Sequence, residues 1–228
     1  MAGRVAGNAA LFLDLDETLI SVSSERTFVA HLWREGVVGT LPMLKVAAAF
    51  LRHTLGLVAD YGATKRKVCR ALLAGADANE CSERFGEFYS ADLGDKLRPE
   101  VLELVERCRS DGMKIYLVSA SLDFVVRRFA ERIRADGWFA VDLEIREGRF
   151  TGEIAGQVLF GEQKVRVILE LASRQGIDLA RSVAASDSRL DIPMLSLVGQ
   201  PVAVAPDAAL SRHARKHGWV VVAAKASA

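Results

Sequence analysis

Cysteine is scarce in this chain. The three present, Cys69, Cys81 and Cys108, are an odd number without C-x-x-C spacing, and read as reduced, partly buried thiols of a cytoplasmic protein. An excess of one charge is also lacking: 30 Lys and Arg stand against 29 Asp and Glu, net +1. No global basic field is available for nucleic acid or anionic lipid. The local clusters Lys65-Arg66-Lys67, Arg127-Arg128 and Arg215-Lys216 are short and fall in helical patterns, which suits solvated helix faces. No basic strip is interleaved with aromatics, which argues against a single-strand nucleic-acid binder. There is no uninterrupted membrane span, because Lys45, Arg52 and His53 break the most hydrophobic stretch, residues 37–58. Met1-Ala2-Gly3-Arg4 is not followed by a signal-peptide core, since Asp14 and Asp16 interrupt the only early apolar run. Histidines number four. His213 and His217 lie four apart on a helical pattern, but Ala214-Arg215-Lys216 between them lacks a zincin glutamate. His31 and His53 are isolated, and no Ser-His-Asp triad or cysteine nucleophile is indicated. Internal repeats and low-complexity segments are absent.

What is present is an ordinary globular balance, 50% hydrophobic and 26% charged in 228 residues. Apolar, β-rich runs occupy residues 11–13, 114–118, 139–145, 182–185, 202–205 and 219–222. Helical patterns over residues 99–109, 123–134, 164–174 and 208–217 separate most of them. This alternation predicts an α/β fold, a doubly wound parallel sheet wrapped by helices. Residues 142–154 alternate instead around Glu147-Gly148 and predict an antiparallel hairpin. The first two sheet strands are separated by a long stretch that no simple crossover needs. Residues 21–96 therefore read as an inserted all-helical cap domain, with residues 1–20 and 97–228 forming the α/β core. Within the cap, Met43, Val46, Ala47, Phe50, Leu51 and Leu55 recur at helical spacing. That apolar face suits the cap's own core or an interface with a second copy of the chain, a homodimer.

The most informative segment is Asp14-Leu15-Asp16-Glu17-Thr18, set directly after the apolar run Ala9-Ala10-Leu11-Phe12-Leu13. Two carboxylates reach the C-terminal end of a buried strand, where open α/β sheets bind ligands. Side by side they repel, which calls for a cation. Three further signals follow in order. Tyr116-Leu117-Val118-Ser119-Ala120-Ser121 puts a serine and small residues at a second strand end, where backbone N–H groups can approach an anion. Gly161-Glu162-Gln163-Lys164 opens a helix with a mobile positive charge suited to phosphate. Ser186-Asp187-Ser188-Arg189-Leu190-Asp191 adds two carboxylates after the strand Val183-Ala184-Ala185. Singly each has an ordinary explanation as a cap or surface group. Jointly they supply a nucleophile, a proton carrier, hydroxyls, a cation and metal-binding acids at successive strand ends.

This sequence of motifs, Asp14-x-Asp16-x-Thr18, Ser119, Lys164 and Asp187-x-x-x-Asp191, resembles that of the haloacid dehalogenase superfamily over nearly the whole chain. The wording around Ser119 and Lys164, the run Asp187-Ser188-x-x-Asp191-Ile192-Pro193-Met194-Leu195 and the cap position resemble its phosphoserine-phosphatase-like subclass IB. The resemblance implies a Rossmann-like core and a Mg2+-dependent phosphomonoesterase acting on a small phosphorylated metabolite. Asp14 would be the nucleophile, forming an aspartyl phosphate, and Asp16 the acid and base. Thr18, Ser119 and Lys164 would hold the phosphoryl oxygens. Mg2+ would bind Asp14, the Asp16 carbonyl and Asp187, with Asp191 orienting Lys164 or a metal-bound water. Asp16, needed for an alkoxide rather than a halide leaving group, favours a phosphate ester. Ser23 stands where phosphoserine phosphatases carry a glutamate, with Glu25 two residues on. Lys65 and Arg66 fall near their cap arginine, and Leu190 replaces an asparagine. Ser23, Glu25, Lys65, Arg66 and Ala120 are thus candidate substrate contacts. Phosphoserine phosphatase proper, a phosphotransferase using the same adduct, and a non-catalytic phosphate- or partner-binding protein are the alternatives.

Overall fold

In a computed structural model, residues 8–36, 39–40, 43–44, 46–48 and 61–223 are described. Seven strands form one sheet: β1 (Ala10–Leu13), β2 (Lys114–Leu122), β3 (Gly137–Arg146), β4 (Arg149–Ala155), β5 (Val183–Ser186), β6 (Gln200–Val204) and β7 (Val220–Val222). Their order is β4-β3-β2-β1-β5-β6-β7. All pairings are parallel except β3 with β4. β1 is central and every one of its residues is buried, because helices cover both faces of the sheet. Leu11 and Leu13 join the core on one side of the sheet, Ala10 and Phe12 the core on the other. The chain leaves β1 toward β2 on one flank and later returns to β5 on the other. That reversal opens a crevice at the carboxyl ends of β1 and β5.

The helices of the described residues are α1 (Ser24–Arg34), α2 (Tyr61–Leu73), α3 (Ala78–Phe88), α4 (Pro99–Ser110), α5 (Asp123–Arg132), α6 (Glu162–Gln175), α7 (Ile192–Ser196) and α8 (Ala208–His217). Their ends follow local chemistry. Pro99 opens α4, where its missing N–H costs nothing. Asp207 caps α8 by accepting from the N–H groups of Ala209 and Leu210, and Gly218, left-handed at φ 67°, closes it. The hairpin turn uses Glu147 and Gly148 at φ 49° and 77°, the positive angles a two-residue turn requires. β2 runs beyond the expected residue 118 to Leu122, with a register shift against β3 between Val118 and Leu122. Ser119, Ala120 and Ser121 therefore sit on an irregular strand extension and not in a loop after it.

Helices α1, α2 and α3 lie between β1 and β2, and the chain enters and leaves them side by side. Ile20 bridges Leu97, and the Ser21 N–H donates to the Lys96 carbonyl at 2.8 Å. Phe28, Phe85 and Phe88 join this insertion to α5 through Phe124, whose ring centroid is 4.9 Å from that of Phe85. The hairpin clasps the turn between α2 and α3. Gly75 N–H donates to Phe150 O at 2.8 Å, Phe150 N–H to Ala76 O at 2.9 Å, and Ala78 N–H to Gly148 O at 2.9 Å. The insertion is thus anchored from the β3–β4 side and overhangs the crevice. Of the amphipathic helix expected around residues 43–55, Phe50, Leu51 and Leu55 lie outside the described residues. Among those described, no helix is long and apolar enough to cross a membrane.

Candidate active site

The chain leaves β1 with Asp14, whose N–H donates to the Ala185 carbonyl on β5 at 3.0 Å. The backbone then turns sharply. Glu17 takes a left-handed φ of 57°, and Ile20 N–H returns to Leu15 O at 3.0 Å. This turn aims Asp14 and Asp16 into the crevice. Lys164, in the first turn of α6, donates through Nζ to Asp14 Oδ1 and to Asp191 Oδ2, both at 2.7 Å. Ser186 Oγ also donates to Asp191 Oδ2, at 2.7 Å. Lys164 thus bridges two carboxylates, and Ser186 shares the Asp191 oxygen with it.

On the other side of Asp14 stands Asp187, after β5. Thr18 Oγ1 donates to Asp187 Oδ1 and accepts the Asp187 N–H, both at 3.0 Å. Thr18 is fully buried and does not line the pocket. Its hydroxyl is engaged with Asp187, because the turn after Asp16 brings Thr18 beside it.

Asp16 faces the insertion. Its Oδ1 accepts the Ser24 N–H at 2.6 Å at the start of α1, and its Oδ2 accepts from Ser121 Oγ. Ser24 and Ser121 hydroxyls are 3.2 Å apart. Ser119 is buried, and its Oγ accepts the Ser121 N–H at 3.1 Å. A pocket of about 160 Å³ is lined by Asp14, Asp16, Ser119, Lys164, Asp187 and Asp191 among others.

Burial sets the electrostatics. It pushes the Asp14 carboxyl up to about 7, Lys164 opposing the rise and Asp191 adding to it. It pushes Asp187 up to about 8, with the Asp14 charge adding and the Thr18 bond opposing. Burial alone would lower Lys164, but Asp14 and Asp191 outweigh it and hold the ammonium above its ordinary range. Among the described residues Asp187 has a hydroxyl partner and no ion pair, so one lysine serves a surplus of acids. Such a wall of hard oxygen donors fits a divalent cation. No three His, Cys, Asp or Glu side chains of the described residues converge on one point. One or two carboxylates with several retained waters are instead the set that magnesium usually takes.

The candidate substrate contacts divide. Ser23, Glu25 and Ala120 line the pocket, and Ser23 also caps α1 by accepting the Arg26 N–H at 3.4 Å. Lys65 is buried behind Glu25 and paired with its carboxylate. Burial lowers the Lys65 ammonium to about 8, with Cys69 and Asp16 opposing. Arg66, the next residue, is not among those lining the pocket.

Comparison with known proteins places the chain. A family model described as haloacid dehalogenase-like hydrolase matches residues 11–196. The chain belongs to that family. It is 34% identical over 215 residues to the Inhibition of morphological differentiation protein of Streptomyces azureus, covering 93% of this chain and 77% of that one. It is 33% identical over 216 residues to Phosphoserine phosphatase SerB1 of Mycobacterium tuberculosis, covering 93% and 70%. A crystal structure of a protein from Bordetella pertussis Tohama I superposes with a TM-score of 0.86 at 27% identity, covering 95% of this chain and 98% of that one.

Several groups in this hydrolase were not legible as functional. Ser24 and Ser121 fix Asp16, and Ser186 fixes Asp191; each lies inside a segment already marked by its acids, which was the available signal. Leu159 and Phe160, ahead of α6, line the pocket beside Leu190. Nothing in sequence spacing distinguished them from core residues.

Proposed function

We propose that this hydrolase is a magnesium-dependent phosphomonoesterase that cleaves a small phosphorylated metabolite through an aspartyl phosphate on Asp14. The observation that carries the reading is the buried Asp14 at the crevice floor, bonded to Lys164 on one side and facing Asp187 on the other. The names of relatives such as SerB1 support it.

Asp14 attacks phosphorus in line with the ester oxygen, forming an acyl phosphate as the P–O bond to the alcohol breaks. Asp16, within reach of the pocket, gives its proton to the leaving alkoxide and afterwards takes one from the water that attacks the acyl phosphate. Lys164 and Ser119 hold the phosphoryl oxygens, where charge and positioning supply most of the rate. Asp191 and Ser186 keep Lys164 in place. Asp14, Asp187 and the Asp16 carbonyl would hold magnesium, which would supply the charge that offsets repulsion between anionic carboxylates and anionic phosphate. Residues 21–96 act as the cap that overhangs this chemistry and limits water. The free thiols of Cys69, Cys81 and Cys108 accord with a reducing cytoplasm. Phosphate release from small esters in the presence of magnesium tests the reading: turnover by wild type is expected, and its absence from every ester including p-nitrophenyl phosphate contradicts it.

A further inference from the structure

Beyond the groups assigned to phosphoryl transfer, the charged side chains lining the pocket are Glu17, Glu25 and Arg26. Each already has a partner of opposite sign inside the protein. Glu25 is paired with Lys65 Nζ, and Glu17 with Arg26 at 3.8 Å. The two pairs differ in kind. Arg26 and Glu17 are half exposed at the rim, where such a pair contributes little. Lys65 is only 4% exposed, so water cannot answer its charge. Drawing Glu25 away toward a substrate ammonium would strand a buried cation, which is strongly unfavourable. The uncharged remainder of the wall is Ser23 and Ser188 together with the apolar Ala120, Leu159, Phe160 and Leu190.

We propose, building on the phosphatase reading, that the alcohol released carries no formal charge, and that Lys65 determines this. Its ammonium occupies, against Glu25, the place a substrate cation would otherwise take. The substrates are then phosphate monoesters of small neutral alcohols, aliphatic or hydroxylated, and not of amino alcohols or amino acids. The aliphatic part lies on the Leu159–Phe160–Leu190 side, and a neutral hydroxyl group is accommodated at the polar rim. An ammonium set against the Leu159–Phe160–Leu190 side would be desolvated with no carboxylate on that wall to answer it.

The test compares two esters that differ at one group, n-propyl phosphate and O-phosphoethanolamine, by kcat/KM on the full chain with magnesium. Glycerol 1-phosphate and O-phosphoserine extend the pair, and p-nitrophenyl phosphate reports the chemistry alone. Wild type is expected to prefer n-propyl phosphate by about tenfold or more, the scale at which an unmatched polar group is rejected. Glycerol 1-phosphate should fall with the favoured ester and phosphoserine with the disfavoured one. Lys65→Met, which removes that ammonium from beside Glu25, should shrink that preference by about tenfold. A wild-type preference below about threefold, or any preference for phosphoethanolamine or phosphoserine, overturns the inference while p-nitrophenyl phosphate turnover leaves the phosphatase reading standing. No turnover of any ester overturns both. A folded Lys65→Met protein with an unchanged ratio removes Lys65 from the account. The wild-type ratio decides the substrate class even if that variant does not fold.

Discussion

Lys164 Nζ lies 2.7 Å from Asp14 Oδ1, with both side chains buried at the crevice floor. In the proposed mechanism, an ammonium in this position would keep a desolvated carboxylate usable as a nucleophile and stand ready for the phosphoryl oxygens. Lys164→Met should therefore lower kcat/KM by at least about a hundredfold, as removal of a preorganised charge does elsewhere. It should also destabilise the metal-free protein by about 3–5 kcal/mol, since Asp14 and Asp191 lose their shared cation. Steady-state kinetics and urea unfolding with a chelator read the two effects separately. Full stability in the variant would mean that the acids are neutral at rest.

Asp14 and Asp187 give the metal-free protein a pH dependence of definite sign. Their carboxyls are held by burial near 7 and 8 in the folded chain, against about 4 when unfolded. Between those values the folded state binds more protons, so stability falls as pH rises from about 4 through 8, and is greatest below the unfolded pKa. Magnesium offsets the charges and should raise Tm more at pH 8 than at pH 5. Melting curves with magnesium and with chelator across that range check it. An equal or larger magnesium shift at pH 5 would contradict the assignment of these acids to the metal.

Ser121 donates to Asp16 and so sets the direction of the proposed proton carrier. Ser121→Ala should lower kcat by about tenfold for an alkyl phosphate, whose alkoxide needs a proton, and by much less for p-nitrophenyl phosphate, whose leaving group does not. Equal losses on both esters would show that Ser121 only shapes the pocket.

Much of this was readable in advance, because buried strands advertise themselves. The run ending at Leu13 is apolar throughout since β1 is covered on both faces, and the acids that follow it had to emerge at the ligand end of the sheet. The Glu147-Gly148 turn was likewise legible from alternation plus a residue pair suited to positive φ. The Thr18 bond to Asp187 was not: it depends on a turn with a left-handed Glu17, which no spacing reveals. Lys65 was recognised only as a nearby basic residue. Its burial and its pairing with Glu25, 40 residues away in the chain, are tertiary facts. Ser121 was obscured by the expectation that β2 ended at residue 118.

Gly152 is where the hairpin meets the insertion. At φ 84°, a Cβ there would come within 2.9 Å of Arg70 Cα on α2 and of Ala74 Cβ just after it. Gly152→Ala combines backbone strain with overpacking and should cost about 1–3 kcal/mol. Chemical denaturation measures it; a change under about 0.5 kcal/mol would mean that the hairpin and α2 separate easily.

The most direct test of the account is to look for the covalent intermediate. Wild type and Asp14→Asn are mixed with magnesium and p-nitrophenyl phosphate, quenched in acid within the first turnover, digested and analysed by mass spectrometry. The account predicts one added phosphoryl group on the wild-type peptide containing Asp14, labile to hydroxylamine, and none in Asp14→Asn, which should also lose at least about a thousandfold in kcat. Rapid phosphate release by wild type with no phosphorylated Asp14 peptide at any quench time, or full turnover by Asp14→Asn, would contradict it.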